Sequence, residues 1–463
     1  MRLKLAILIG KLINFLLKKT GLGGGTTLPG LVGEKIDPQL VKKLTNKIIK
    51  GSIIISGTNG KTTTAKMVAT ILEEAGISFI HNRSGSNLIR GIASTLIEES
   101  NLKGQIKKQI AIFEVDEATV PEAIKKIQPR IVLITNFFRD QLDRYGELDT
   151  ISQIVKRGLI NLPSNYQIIL NANDPFVAFL NDKINKNFFY FGITDKRQDI
   201  KEKEHTADVK NCPRCNTPYH YSITFFSHIG IFYCPKCHLK TPDPQIYSPK
   251  IIFNHDQTSN FEICFPRKQK INVKLKLPGI YNIYNALAAS SISYVLQIKP
   301  DFIKKGLEKF SAAFGRVEKI KINNKTIIMF LVKNPTGANV VLKTLVKNPA
   351  SKNFIMALND NLADGTDVSW IWDIDFEQLK NKLINFIYVS GIRAEDLSLR
   401  LKYAGIDTNK IYLEKDYHNL IRKTLALTKP GHKIYLLATY TAMLDIRKSL
   451  RKFVKLNNFW ENL

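Results

Sequence analysis

The sequence lacks a hydrophobic run long enough to cross a bilayer, and it lacks a recognisable secretion signal. Its apolar run near the N-terminus, residues 5–10, is interrupted by Lys11, and no small-residue cleavage site follows. A segment this short and this charged does not span a membrane. We therefore expect a cytoplasmic protein.

Acidic residues are scarce: 40 Asp and Glu stand against 68 Lys and Arg, a formal net charge of +28. This excess is typical of proteins that bind nucleic acid, an anionic membrane surface or phosphate-bearing substrates. Biased base composition would produce the same Lys-rich sequence, and both explanations stay open. One stretch opposes the trend, because residues 359–377, NDNLADGTDVSWIWDIDFE, hold six carboxylates, no Lys or Arg, and Trp370 and Trp372.

Cysteine is also rare, and disulfides, the alternative use of the cysteines present, fit poorly with a cytoplasmic chain. Four of the five cysteines form two C-x₂-C pairs: Cys212, Cys215, Cys234 and Cys237. Each pair places two thiolates on one tight turn, and two turns complete a tetrahedral Zn²⁺ site. Because four thiolates close the site, we expect the zinc to be structural. Cys264 in FEICFP predicts a buried strand without a nucleophile turn.

The first twenty residues predict an amphipathic helix. Lysines that recur every seven residues form a polar stripe: Lys4, Lys11 and Lys18. Apolar residues cover the other side: Leu5, Leu8, Ile9, Leu12, Phe15 and Leu16. Such a helix either lies at the inner face of the membrane or packs on the protein's own body, and the sequence leaves both open. The stretch GLGGGTTLPG then predicts a flexible joint.

A chain of 463 residues is too long for one ordinary core and favours several domains. After the joint, short apolar strands alternate with helices, the pattern of a mostly parallel sheet flanked by helices. The predicted strands lie at 52–57, 109–115, 130–136 and 166–174, and the predicted helices at 61–76 and 281–298.

A second alternating segment begins near residue 315 and predicts a smaller α/β domain. Its strands are KTIIMFLV, NFIMALND, NFIYVSG and KIYLLAT. The expected division is an arm at 1–30, a central domain at 31–312 with a ribbon insertion at about 205–245, and a C-terminal domain at 313–463.

The segment SGTNGKTTT lies between the first predicted strand and the first long helix. A glycine-rich turn in this position directs backbone N–H groups at a phosphate, and the helix N-terminus adds a favourable dipole. Lys61 is placed to reach the β- and γ-phosphates, and Thr62 to ligate Mg²⁺. Ile55 stands where the standard spacing has a glycine, so this is the shorter G-x-x-G-K-T loop.

A second candidate element is IFEVDEA, which ends a predicted strand with Glu114, Asp116 and Glu117. A carboxylate there holds Mg²⁺ directly or through water. The alternative is that these carboxylates only solvate the end of the strand. For Asp116 and Glu117 the two interpretations are equally supported, whereas the position of Glu114 favours a role in metal binding.

Six segments occur in an order that resembles the ATP-binding central domain of the Mur ligase family: GTNGKTTT (57–64), FEVDEA (113–118), TNFFRDQLDRYGE (135–147), LNANDP (170–175), LPGIYNIYNALAA (277–289) and FGRVEK (314–319). The ribbon insertion, KNPTGAN (333–339) and SWIWD are similar to the MurT branch, the synthetase subunits of lipid II isoglutaminyl synthase. The resemblance implies a P-loop ATPase domain with an inserted Cys₄ zinc ribbon, followed by a smaller Mur-ligase-type α/β domain.

The resemblance also implies roles for the matching residues. Those expected to bind ATP are Gly57, Thr58, Asn59, Gly60, Lys61, Thr62, Asn285 and Arg316. Thr62 and Glu114 would hold Mg²⁺, Asn285 would contact adenine, and Arg316 would contact phosphates at the domain junction. Gln141 departs from the family, which often has a metal-binding His there, so a second metal site stays open.

Amino-acid-adding members of the family also carry a domain for a UDP-linked substrate, whereas a basic arm precedes the loop here. We therefore expect a lipid-linked substrate.

The reaction that the resemblance implies is amidation. ATP would phosphorylate the α-carboxylate of D-Glu in the lipid II stem peptide, and ammonia would convert the acyl phosphate to D-isoglutamine. The chain has no candidate glutaminase nucleophile, so a GatD-type glutamine amidotransferase subunit is the expected partner, in a heterodimer. Asp367 is the expected carboxylate that orients the partner's catalytic His, with 359–377 as the docking surface.

Two alternatives stay open. A ligase similar to folylpolyglutamate synthase would use the same ATP site with an amino acid as nucleophile, but the ribbon and SWIWD argue against it. An NTPase that binds nucleic acid would use the basic charge and the ribbon. It would leave NIYNALAA, RDQLD and the acidic stretch unexplained, so we expect no nucleic-acid partner.

Overall fold

The computed structural model describes residues 1–20, 27–82, 86–138, 148–163, 166–182, 184, 186–200, 211–254, 258–310, 317–346, 351–380 and 383–456. The described chain divides into two compact units, the first ending at residue 310 and the second beginning at 317.

A mostly parallel sheet organises the first unit. The unit's strands are β1 (Ser52–Ser56), β2 (Phe79–His81), β3 (Ile110–Glu114), β4 (Ile131–Ile134), β5 (Gln167–Asn171), β6 (Phe188–Ile193), β7 (His220–Phe226), β8 (Ile229–Tyr233), β9 (Ile246–Ser248), β10 (Ile251–Phe253), β11 (Ser259–Cys264) and β12 (Lys270–Leu275). The order across the main sheet is β10-β11-β9-β6-β5-β4-β1-β3-β2, and β12 pairs with β11. Strands β1, β3 and β4 are buried along their whole length, as expected for the centre of a parallel sheet covered on both faces.

Helices accompany these strands: α1 (Arg2–Thr20), α2 (Leu28–Ile36), α3 (Leu40–Thr45), α4 (Lys61–Glu74), α5 (Ile89–Glu99), α6 (Val120–Ile127), α7 (Leu148–Ile160), α8 (Pro175–Ala178), α9 (Ile280–Val295) and α10 (Pro300–Lys309). The four predicted strands and two predicted helices of this unit are confirmed, with ends shifted by at most three residues. Of the joint expected at 21–30, residues 21–26 lie outside the described residues, whereas Leu28 begins α2, with Pro29 in its first turn.

Helix α1 forms as predicted, but its contact face is not the leucine stripe. Ala6 and Ile7 are fully buried, and a Cβ on Gly10 would lie 2.9 Å from Ile97 of α5. The small Gly10 therefore allows the two helices to approach closely. The leucines on the opposite side of α1 remain exposed.

The second unit is a smaller α/β domain, as predicted. Its strands are β13 (Val317–Ile322), β14 (Lys325–Leu331), β15 (Lys352–Ala357), β16 (Ile384–Ser390), β17 (Ile411–Leu413) and β18 (Lys433–Ala438), in the order β13-β14-β18-β15-β16-β17. Its helices are α11 (Pro335–Val346), α12 (Ala394–Tyr403), α13 (Tyr417–Leu427) and α14 (Tyr440–Leu450). Strand β15 separates two cores, because Phe354 and Met356 pack on one side and Ile355 and Ala357 on the other.

Candidate nucleotide site and metal centre

The phosphate loop connects β1 to α4 and depends on two glycines. Gly57 and Gly60 have φ angles of 120° and 90°, which side chains rarely adopt. A Cβ on Gly57 would lie 2.3 Å from Thr135 Oγ1, and one on Gly60 would lie 2.2 Å from Asn285 Oδ1. The backbone at both positions therefore requires glycine, and α4 begins directly after the loop.

Lys61 is buried and turns back over the loop. Its Nζ donates to Gly57 O at 2.6 Å and to Glu117 Oε2 at 3.3 Å, and it lies 3.8 Å from Asp116 Oδ1. The ammonium group is thus held where anionic oxygens converge. Sequence reasoning left Asp116 and Glu117 undecided, and the structure brings both to Lys61.

Thr62 and Glu114 form the centre of the metal candidate. Thr62 Oγ1 donates to Glu114 Oε2 at 2.6 Å, and Glu114 is fully buried at the end of β3. Asn82 holds the Glu114 backbone on both sides, accepting from its N–H at 2.8 Å and donating to its carbonyl at 3.0 Å. A hydroxyl and a buried carboxylate together are the hard oxygen donors that Mg²⁺ prefers.

His81 also reaches this site, with Nε2 3.0 Å from Glu114 Oε1. Sequence reasoning missed it. The available signal was its position, since His81 ends the short strand β2 beside β3, where the carboxyl ends of parallel strands meet.

Asn285 packs directly on the phosphate loop from α9. Its Oδ1 lies 3.5 Å from Thr64 Oγ1, and its Nδ2 donates to Asn282 Oδ1 at 3.4 Å. The adenine contact expected of it stays a prediction. Arg316 and Gln141 lie outside the described residues.

The four cysteines predicted to bind zinc do come together. Their sulfur atoms all lie within 4.8 Å of one another. Hydrogen bonds from Thr217 lower the pKa of the Cys215 thiol to about 6, whereas burial raises that of Cys237 to about 12. Four thiolates at this spacing repel one another. A bound cation would offset this repulsion and so favour the loss of all four thiol protons.

The two halves of the cysteine site have the same local backbone. Asn216 and His238 follow the second cysteine of each pair with φ angles of 56° and 58°. Asn216 N–H donates to Cys212 O at 2.8 Å, and His238 N–H donates to Cys234 O at 3.0 Å. Each pair thus closes a tight turn, as a C-x₂-C metal site requires.

The hairpin β7–β8 runs from the cysteine site to the phosphate loop. At its far end, the rings of Phe226 and His228 lie 5.9 Å and 4.6 Å from that of Phe138. Phe138 N–H in turn donates to Thr58 Oγ1 at 3.1 Å. The ribbon therefore supports the segment that holds Thr58.

In the second unit, internal contacts hold the acidic stretch in place. The oxygens of Asp364 accept from the N–H of Thr441, at 2.8 Å, and from its hydroxyl. Asn339 accepts from Asp375 N–H at 2.8 Å, which links KNPTGAN to this stretch. Arg400 is buried and donates to Ile374 O at 2.6 Å and to Glu377 at 2.9 Å.

Asp367 and the two tryptophans lie toward the surface of this stretch. Asp367 is half-buried, and its Oδ1 accepts from Ser369 N–H at 2.8 Å, which sets the direction of the carboxylate. Trp370 packs against the core, whereas Trp372 is 49% exposed, with the Arg400 guanidinium 5.6 Å above its ring.

Comparison with known proteins defines the class. The Mur ligase middle domain family matches residues 55–229, and the MurT ligase C-terminal family matches residues 331–443. The structure of a pseudomurein peptide ligase type C from Methanothermus fervidus shares the fold, with a TM-score of 0.67 and 23% identity over 89% of this chain and 80% of that chain. The fold, with its phosphate loop and buried carboxylate, is that of a Mur ligase.

Two relatives narrow this class further. The lipid II isoglutaminyl synthase (glutamine-hydrolyzing) subunit MurT of Staphylococcus aureus (strain COL) is 34% identical over 87% of this chain and 88% of its own length. The protein of the same name from Streptococcus pneumoniae (strain ATCC BAA-255 / R6) is 33% identical over 96% of each chain. The chain belongs to the MurT family.

Proposed function

We propose that the chain is the synthetase subunit that amidates the α-carboxylate of D-Glu in the lipid II stem peptide, giving D-isoglutamine for peptidoglycan synthesis. The observation that carries the proposal is the hydrogen bond from Thr62 to the buried Glu114 beside the phosphate loop, in a chain of the MurT family. The named relatives are subunits of a glutamine-hydrolysing lipid II isoglutaminyl synthase.

The reaction has two steps. A carboxylate oxygen of D-Glu attacks the γ-phosphorus of ATP, and the bond to ADP breaks to leave an acyl phosphate. Ammonia then attacks the carbonyl carbon, phosphate leaves with the bonding electron pair, and the nitrogen loses a proton. The chain's part is to position the phosphates and to balance charge that develops on them.

The residues at the loop divide that work. The loop N–H groups and the N-terminus of α4 bind the triphosphate, and Lys61 exchanges Gly57 O for phosphate oxygens. Thr62 and Glu114 would hold Mg²⁺, which neutralises phosphate charge when bound. His81 and Asn82 orient Glu114.

We further propose that Cys212, Cys215, Cys234 and Cys237 hold a structural Zn²⁺. Four sulfur ligands leave no open position for substrate or water. The metal would therefore act on stability, and on the phosphate loop only through the hairpin.

Ammonia is proposed to come from a GatD-type glutaminase subunit that docks on residues 359–377. Burial and the neighbouring Glu262 raise the pKa of Cys264, so this thiol stays protonated and is a poor nucleophile. Asp367 would orient the imidazole of the partner's Cys–His pair.

The test is reconstitution of the two-chain complex with lipid II, ATP and either glutamine or ammonium, with the amidated lipid measured by mass spectrometry. We expect the complex to form product with either nitrogen donor. The isolated chain should form product with ammonium but not with glutamine. ATP hydrolysis stimulated by a polynucleotide and not by lipid II would instead favour the NTPase. Amino-acid addition without amidation would favour the folylpolyglutamate-type ligase.

A further inference from the structure

Helix α1 has two apolar sides, and the protein covers one of them. Ala6, Ile7 and Gly10 face the body of the first unit. On the opposite side, large apolar side chains are about half exposed: Leu5 48%, Leu8 53%, Leu12 56% and Phe15 61%. At 3.6 residues per turn these four form one continuous stripe along the helix, which we call the outer stripe.

The charged side chains of α1 are all of one sign. Arg2, Lys4, Lys11, Lys18 and Lys19 are basic, and no acidic residue precedes Glu34. Arg2 and Lys4 are exposed at opposite borders of the stripe, and Lys11 is half-buried, with Nζ 3.1 Å from Glu98 O. An apolar surface bordered by cations is suited to the interface of an anionic bilayer, where side chains enter the acyl region and cations meet headgroups.

We propose that the outer stripe is a docking surface for an anionic lipid bilayer, on which α1 lies parallel to the membrane plane. The helix is about 28 Å long at 1.5 Å per residue, and its inner side stays packed on the protein. No helix in the described part of the chain is long and apolar enough to cross a membrane. A second copy of this chain is a poor occupant, because it would bring two clusters of five cations together. The inference goes beyond the proposed chemistry and does not depend on it.

The experiment is flotation of the full chain with vesicles of phosphatidylcholine alone or mixed with phosphatidylglycerol. The test variant is Leu8→Ser/Leu12→Ser/Phe15→Ser, and the matched control is Ile160→Ser/Ile252→Ser/Phe253→Ser, whose side chains are 53%, 47% and 40% exposed elsewhere on the first unit. Neither variant changes charge or a buried residue, and equal thermal transitions would show that both fold.

We expect the wild type and the control to bind the anionic vesicles, and the test variant to bind at least about tenfold more weakly for each residue replaced. Removing a border cation in Arg2→Gln or Lys4→Gln should weaken binding about fivefold each. Binding of the test variant at the wild-type level would show that general positive charge suffices and would overturn the proposal. Self-association that the same three substitutions abolish, without vesicle binding by the wild type, would overturn it in favour of a second copy.

Discussion

At the scale of single residues, the proposed nucleotide site depends on charges that the surrounding protein holds in a fixed place. Glu114 is fully buried, and its side-chain oxygens meet Thr62 and His81. A buried carboxylate is tolerated only with such partners. Its geometry is therefore set before nucleotide binds, which is what electrostatic catalysis needs.

The first prediction concerns this charge. Lys61→Ala and Glu114→Gln should each lower ATP-dependent amidation by about 10²–10³-fold or more, because phosphate charge in the transition state loses its cation or its metal ligand. Excess ammonium should not restore activity, since carboxylate activation is the lost step. The control Glu99→Gln removes an exposed charge at the end of α5 and should retain wild-type activity. Rescue of either active-site variant by ammonium would contradict the assignment.

The second prediction concerns Asp367 and separates the two nitrogen donors. Asp367→Asn should lower glutamine-dependent amidation by about 10³–10⁴-fold, because the partner's imidazole loses its orienting charge. Ammonium-dependent amidation and assembly of the complex should be unchanged. Asp373→Asn, an exposed neighbour, is the matched control. Glutamine hydrolysis at the wild-type rate in the Asp367 variant would refute the role of Asp367 in orienting the imidazole, and Asp373 and Asp375 would become the next candidates.

At the scale of elements, the hairpin β7–β8 and the acidic stretch are supported by different means. The hairpin connects the cysteine cluster to the candidate phosphate loop, and at about 3.3 Å per residue its seven-residue strand spans about 20 Å. The acidic stretch instead relies on Arg400, which donates to Ile374 O and to Glu377 and packs against the ring of Trp372.

The third prediction follows from the hairpin. Phe226→Ala should keep its metal but raise the Kd for ATP several-fold, because the ring that supports Phe138 and Thr58 is lost. Tyr233→Ala, at the cysteine end of β8, should leave the Kd unchanged.

Cys212→Ser should abolish metal content and lower the free energy of unfolding of the first unit by several kcal/mol. Metal analysis and nucleotide titration distinguish these cases, and a fully stable protein without metal would refute the zinc proposal.

The fourth prediction is a pH dependence of the second unit. Burial alone would raise the pKa of Glu377, but hydrogen bonds and charge from Arg400 outweigh it and hold the pKa below 4.5. Since this pKa is lower in the folded state, the contribution is complete well above pH 4.5 and is lost as the pH falls through the folded value. Glu377→Gln should therefore flatten the loss of stability below pH 4.5. The hydrogen bond to Lys415 also lowers the pKa of Glu395, but both partners of that pair are exposed, so Glu395→Gln should flatten the loss less. Denaturant unfolding across that range measures the difference.

At the scale of the whole molecule, the proposed reaction gives this chain the activation of a carboxylate, and none of its five cysteines, all within the described residues, is suited to releasing ammonia from glutamine. Four of its five cysteines share one cluster, and the fifth ends a regular strand with a raised pKa. Under the proposed function, a second chain supplies the ammonia.

The fifth prediction tests that division. The isolated chain should use ammonium but not glutamine, and its rate should rise with pH as more ammonia becomes unprotonated. Adding the glutaminase subunit should restore the use of glutamine, and Cys264→Ala should not reduce it. Glutamine-dependent amidation by the isolated chain, lost in Cys264→Ala, would place the nucleophile in this chain instead.

Local patterns in the sequence determined the secondary structure and the metal candidate. The strand at 52–56 has three consecutive isoleucines at its centre, and the loop after it carries glycines at both places where the backbone needs a positive φ. The C-x₂-C pairs specify two tight turns whatever lies between them. Such features depend on neighbours in the chain, so they can be read without knowledge of the fold.

Only the tertiary structure decided which distant groups meet. Nothing in the local sequence shows that His81 contacts Glu114, that Asn285 packs on Gly60, or that the hairpin reaches Phe138. The same holds for α1, where hydrophobic periodicity predicted one apolar side but not which side the protein would cover. Periodicity reports the pattern along one element, whereas burial depends on the partner surface; here the small Gly10, lying against Ile97, brought the other side of the helix inward.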